Sequence, residues 1–343
     1  MADADLVLEG GGVKGTGLVG AITALATAAE PYTFHRVAGT SAGAIVASML
    51  AAGYTAAEMN AVMTELDFSQ FEDSPGILDG HFKLIGEGLG LVLHEGLFRG
   101  NFLHDWIKRI LAAKNVLTWG DLKDTDPGSS LPPEQRYKLV VIVSDVSRGR
   151  MLRLPWDYQP LLGVDPDSQP VADAVRSSAG IPFFFQPFHM KAAADVTHGR
   201  GEILCTDGGM LSNFPVSIFD RTDGEPPRWP TFGVKLSARL TVAQDGWNPD
   251  ANAIELAKSL VTTMQKAHDQ VYVDEASVAS RTIFVDTTGY NATDFHLTSA
   301  DKEKLFNNGL TAGRKFLGRW DWARWLQGDY TTLSPEGSRQ PVP

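Results

Sequence analysis

Cysteine is nearly absent from this chain. The single Cys205 excludes any intramolecular disulfide, so the fold must be held by its core. Long apolar runs are also missing. No stretch approaches the roughly 18 consecutive apolar residues of a spanning helix. The first residues, Met1-Ala2-Asp3-Ala4-Asp5, lack the basic and apolar regions of a secretory signal, so a cytoplasmic location is the expectation. On that ground the sequon Asn291-Ala292-Thr293 reads as chance. Positive charge is in deficit: 30 basic against 41 acidic side chains leave a net charge of −11. That balance argues against nucleic acid as a partner, and against anionic lipid held by bulk electrostatics, while leaving room for local basic patches.

The 343 residues, 43% hydrophobic, suffice for a large core. Leu6-Val7-Leu8 reads as a buried strand, residues 17–29 as a helix and 34–38 as a second strand. Residues 42–52 are apolar all round, hence a buried helix closed by Gly53. Thr55 and Glu58 form a capping box for a helix to Leu66. Further helices are expected at 102–113, 171–179, 252–276 and from Thr298 or Ser299 to Leu326. Strands are expected at 137–144, with 150–154 paired to it, and at 203–206, 231–236 and 282–286. No repeat or linker divides the chain. The alternation predicts one α/β domain over 1–330, a three-layer arrangement with a mainly parallel central sheet flanked by helices, and a frayed tail at 331–343.

Val37-Ala38-Gly39-Thr40-Ser41-Ala42-Gly43 has the G-x-S-x-G spacing that sets a serine on a sharp strand-to-helix turn, with Gly39 and Gly43 permitting the close approach. Ser41 is therefore the candidate nucleophile. Gly10-Gly11-Gly12-Val13-Lys14-Gly15 follows the first strand, where successive N–H groups can form an anion-binding nest, here an oxyanion hole. The same Gly10, Gly12 and Gly15 also match the dinucleotide fingerprint, with Glu30 near the place of its acid. Against that, Glu30 precedes the second strand instead of ending it. Asp207-Gly208-Gly209 offers a base at a strand end, or a plain turn. A Ser-Asp-His triad fits poorly: too few strands precede Ser41, and His268 and His296 lie in no distinctive motif.

Together, Leu8 to Gly15, Gly39 to Gly43 and Asp207-Gly208-Gly209-Met210-Leu211-Ser212-Asn213-Phe214-Pro215 resemble the patatin-like phospholipase family. Ser177-Ser178-Ala179-Gly180-Ile181-Pro182-Phe183-Phe184 resembles its further Ser-Ala…Pro-x-x-Phe block, and the likeness spans at least residues 5–235. The resemblance implies a Ser41–Asp207 dyad, an oxyanion held by the loop of Gly10, Gly11, Gly12 and Val13, and no metal or cofactor. Lys14 stands where many relatives carry arginine. The implied reaction is hydrolysis of lipid acyl esters, phospholipids or lysophospholipids, with transient contact to a membrane or micelle surface. Acyl transfer to another acceptor, a nucleotide-dependent dehydrogenase and a non-enzymatic lipid-binding protein are the alternatives. Residues 67–100 are a candidate lid, with an ordinary helical subdomain as the equal alternative. Trp156 to Leu162 is a second apolar segment that could meet lipid, and Phe183-Phe184-Phe185 could line an acyl pocket or simply pack the core. Lys108, Arg109 and Lys114 read as a solvated face, and Cys205 as a small buried hydrophobe.

Overall fold

The computed structural model describes residues 1–73, 98–236, 263 and 275–335. Eight strands form one sheet: β1 (Ala2–Leu8), β2 (Tyr32–Thr40), β3 (Leu139–Asp145), β4 (Arg150–Leu154), β5 (Phe188–Lys191), β6 (Glu202–Asp207), β7 (Thr231–Lys235) and β8 (Thr282–Phe284). The order is β5-β6-β3-β2-β1-β7-β8, with β4 on β3. β3, β2, β1, β7 and β8 run parallel, as the alternation predicts for strands buried on both faces. Val140 to Val143, Leu6 to Leu8 and Val234 carry no solvent exposure. β4 and β6 run antiparallel to β3, so the sheet is mixed. β5 was not expected from the sequence. Only four residues long, it is held by its pairing to β6 and not by a pattern of its own.

The helices follow local rules. α1 (Thr16–Ala26) packs chiefly on the late helix α7 (Ser299–Leu317). α2 (Ala42–Ala51) is buried along most of its length against β2, in keeping with its all-apolar sequence. α3 (Ala56–Glu65) starts at the expected Thr55–Glu58 capping box, and α7 starts at Thr298 through a second box with Asp301. α4 (Asn101–Ala112) and α5 (Val171–Ser178) pack on each other, and α6 (Ala276–Ser280) leads into β8. The final helix does not run to Leu326. It stops at Leu317, and Asp321 caps a separate α8 (Trp322–Leu326), its carboxylate accepting from the Arg324 amide at 3.0 Å. The tail is ordered further than expected: α9 (Tyr330–Leu333) buries Leu333. The helix expected at 252–276 and most of the candidate lid lie outside the described residues.

One feature of register positions the site. β4 overlaps β2 along β3 at Val141 and Ile142, so those two strands take opposite edges of β3. β4 likewise overlaps β6 at Val143 to Asp145. β2 and β6 therefore share an edge, end to end. Thr40 sits opposite Ile142 and Asp207 opposite Val143, on successive rungs. A residue just after Thr40 must then meet the side of Asp207.

Candidate active site

Ser41 is that residue. It caps α2 with φ 54° and ψ −125°, a backbone region that only glycine enters without strain. The turn closes because its flanks are glycines: a Cβ on Gly39 would fall 2.3 Å from the Gly43 carbonyl oxygen, and one on Gly43 would fall 2.3 Å from that of Leu8. Ser41 Oγ donates to Asp207 Oδ2 at 2.6 Å. Asp207 Oδ1 accepts from the Gly209 amide at 2.7 Å, so the acid that meets Ser41 also forms the D-G-G turn. Both side chains are buried, Asp207 completely. Burial pushes the Asp207 carboxyl up to about 6, with the bonds from Ser41 and Gly209 opposing the rise.

Three further residues hold this geometry. The Ser178 hydroxyl accepts from the Ser41 amide at 2.9 Å and donates to the Ile142 carbonyl at 2.6 Å. It ties the strained elbow to the central strand. Thr40 Oγ1 donates to the Ser212 carbonyl at 3.0 Å, and the Gly10 amide donates to the Asn213 carbonyl at 3.2 Å. Ser212 and Asn213 thus fasten both the nucleophile strand and the glycine loop to the turn that carries the acid. The motif blocks named Ser178, Ser212 and Asn213, but no spacing rule assigned them these bonds. Ser178→Ala leaves a buried N–H unpaired. It is expected to cost about 1–3 kcal/mol of stability and to lower kcat roughly tenfold with little change in KM, read by denaturant melts and steady-state kinetics.

The glycine loop divides into used and unused donors. Gly10 N–H serves Asn213, and Val13 N–H serves the Ala292 carbonyl at 3.1 Å. Among the described residues, the amides of Gly11 and Gly12 have no acceptor. Gly12 has φ 57°, and a Cβ there would lie 1.9 Å from the Ala292 oxygen, so no larger residue fits. Lys14 and Gly15 continue the short turn into α1. Glu30 lies before β2, beside Ala2 and not beside the glycine loop. The length of β1, ~20 Å, separates it from Gly10, so the dinucleotide arrangement is absent.

Ser41, Gly12 and Val13 face an apolar cleft whose walls include Ile45, Phe71, Leu103, Trp106, Phe185 and Phe295. Phe185 is thus a wall residue, while Phe184 stacks on Phe295 at 4.5 Å. Trp156, Tyr158 and Leu162 are buried, and Trp156 Nε1 donates to the Gln135 carbonyl, so the large aromatic side chains of that segment pack into the core, with Leu161 half-buried and Pro160 exposed. Cys205 is buried with its thiol pushed up by desolvation, as suits an inert hydrophobe. Lys108 is exposed beside Asp105, and Lys114 pairs with Glu58 at 2.8 Å. His296 is exposed and sits 3.4 Å from Glu72, remote from a triad role, while His268 lies outside the described residues. No group of acids, histidines or cysteine suited to a metal occurs among the described residues.

The sequence pattern of patatin-like phospholipase matches residues 6–220. The chain belongs to the patatin-like phospholipase family. Membership implies a serine hydrolase with activity on lipid acyl groups. Among similar proteins, YqhO of Bacillus subtilis (strain 168) is 35% identical over 322 residues, covering 93% of this chain and 99% of YqhO. R571 of Acanthamoeba polyphaga mimivirus is 25% identical, covering 89% and 91% of the two chains. The crystal structure of VipD from Legionella pneumophila has the same fold, with TM-score 0.54 at 16% identity, over 97% of this chain and 71% of that one. No helix among the described residues of this patatin-like chain is long and apolar enough to cross a membrane.

Proposed function

We propose that this chain hydrolyses the carboxylic esters of phospholipids or lysophospholipids through a Ser41–Asp207 dyad. The observation that carries the reading is the 2.6 Å bond between Ser41 Oγ and a fully buried carboxylate, at the mouth of an apolar cleft. The cleft takes the acyl chain. Asp207 accepts the Ser41 proton as Oγ attacks the ester carbonyl, and the N–H groups of Gly11 and Gly12 receive the developing oxyanion. Collapse expels the alcohol, which takes the proton back from Asp207. Water then gives its proton to Asp207 and attacks the acyl-serine ester; collapse releases the fatty acid, and Asp207 returns the proton to the departing Ser41 Oγ.

A carboxylate is ordinarily too weak a base for a serine hydroxyl. Burial of Asp207, which raises its proton affinity toward neutral pH, supports the assignment. The test is labelling by a fluorophosphonate with mapping of the modified peptide, alongside hydrolysis of phosphatidylcholine and lysophosphatidylcholine. Modification of the Gly39–Gly43 peptide with release of fatty acid is expected. Label elsewhere, or none, rejects the dyad. Transfer of the acyl group to an added alcohol at the expense of free acid would reassign the enzyme as an acyltransferase.

A further inference from the structure

Six large apolar side chains stand exposed among the described residues, and three of them share one surface: Val146, 46% exposed, Met151, 37%, and Leu204, 36%. Register explains the grouping. The Val146 amide donates to the Leu204 carbonyl at 3.0 Å, Met151 sits opposite Ser144, and strand alternation puts all three on one face of the antiparallel extension. Their strand neighbours Leu152, Cys205 and Ile203 point to the other face and are buried. By the same alternation Arg153 shares this face with Met151 and Lys191 shares it with Leu204, and the exposed Arg200 lies next to the Ala192–Gly201 hydrogen bond that continues the β5–β6 pairing. Arg153 pairs with Asp157, and Lys191 and Arg200 have no acidic partner among the described residues. The exposed acids nearby are Asp195 and Glu202, and His189 holds Glu202 at 2.7 Å. Asp145 and Asp157 are buried under Arg148 and Arg153.

The surface lies at the catalytic end of the sheet. β6 runs antiparallel to β3, so Glu202 stands beyond Asp207 by five residues, ~15 Å past the level of the dyad. The 146–149 turn and the 192–201 connection both project from that end. We propose that this face seats the protein on an anionic phospholipid bilayer, with Val146, Met151 and Leu204 entering the acyl boundary and Lys191 and Arg200 meeting lipid phosphates. A bilayer is favoured over an acidic protein because the apolar groups stand as separate exposed side chains that share their face with Lys191. The net charge of −11 repels an anionic surface at long range, so attachment through this face is short-range and sensitive to salt. The inference rests on the lipid-hydrolase reading for its choice of partner and not for its test.

The test is flotation of the full chain with vesicles of phosphatidylcholine alone or with about one-third phosphatidylglycerol. Wild type is expected to float with the anionic vesicles. The triple variant Val146→Ser/Met151→Ser/Leu204→Ser and the double variant Lys191→Glu/Arg200→Glu should each partition at least about tenfold less, while hydrolysing a soluble short-chain ester at the wild-type rate. Single substitutions at Val146 and Leu204 guard against misfolding of the multiple variants and should each weaken flotation. Wild type that stays in solution, variants that float undiminished, or a loss that tracks a changed oligomeric state instead of vesicles overturns the proposal. Ser41→Ala should float like wild type. Wild type that floats but shows no esterase activity would count against the hydrolase reading and leave the docking face standing.

Discussion

Ser41→Ala is expected to lower acyl-ester hydrolysis by about 10⁴-fold or more while the fold survives. The magnitude follows from what the substitution removes: the nucleophile itself, without which only the oxyanion donors and the cleft remain to assist water. Loss of the fluorophosphonate-labelled peptide should accompany it. Stability changes for two reasons. The Asp207 carboxylate loses the hydroxyl that donates to it, and alanine inherits the positive φ of the elbow. Ser41→Gly separates them, because glycine occupies φ 54°, ψ −125° without penalty. It should be equally inactive yet melt above Ser41→Ala, by roughly 1–2 kcal/mol in denaturant titrations. Retained turnover in purified Ser41→Ala would end the case for the dyad. Equal stability of the alanine and glycine variants would show that the elbow stores no strain.

The two halves of the Ser41–Asp207 pair were legible because each sits in a local pattern with a local cause. Gly39 and Gly43 flank a turn that no side chain could pass, and a strand-end Asp before two glycines has an open backbone about it. The parallel half of the sheet was legible for the same reason: Leu6-Val7-Leu8 and Leu139 to Val143 are apolar without alternation, as doubly covered strands are. What stayed hidden depends on register and on distant loops. Nothing in residues 202–207 says that the strand runs against β3 and takes up the edge where β2 ends, yet that continuation brings the acid to the serine. Ala292 is equally silent in sequence, although its carbonyl occupies the Val13 amide and crowds Gly12. The sequence left Trp156 to Leu162 open between lipid contact and the core, because apolar composition does not distinguish the two; Trp156, Tyr158 and Leu162 are buried.

Asp207→Asn should abolish hydrolysis and, at neutral pH, make the protein more stable. The amide is isosteric: its oxygen can accept from Gly209 and its nitrogen can donate to Ser41 Oγ, so packing is kept while the base is lost. The stability gain comes from the buried charge. A carboxyl held at about 6 in the fold against 3.8 when unfolded binds its proton more tightly in the native state. Its contribution is fully favourable below the unfolded value and is lost as pH rises through the folded one. Above pH 6 the native protein thus carries an ionised, fully buried Asp207 at a cost of about 3 kcal/mol, which asparagine does not incur. The variant should exceed wild type by up to that amount at pH 7.5, and the gap should close as pH falls from 6 to 4, measured by denaturant titration at each pH. The same proton governs catalysis. In wild type, kcat/KM should fall tenfold per pH unit below about 6, where Asp207 is already protonated and can take nothing from Ser41. An activity profile flat through pH 5, or an asparagine variant no more stable at pH 7.5 than at pH 4.5 relative to wild type, would show that this carboxylate is neither the base nor the buried charge that its surroundings make it.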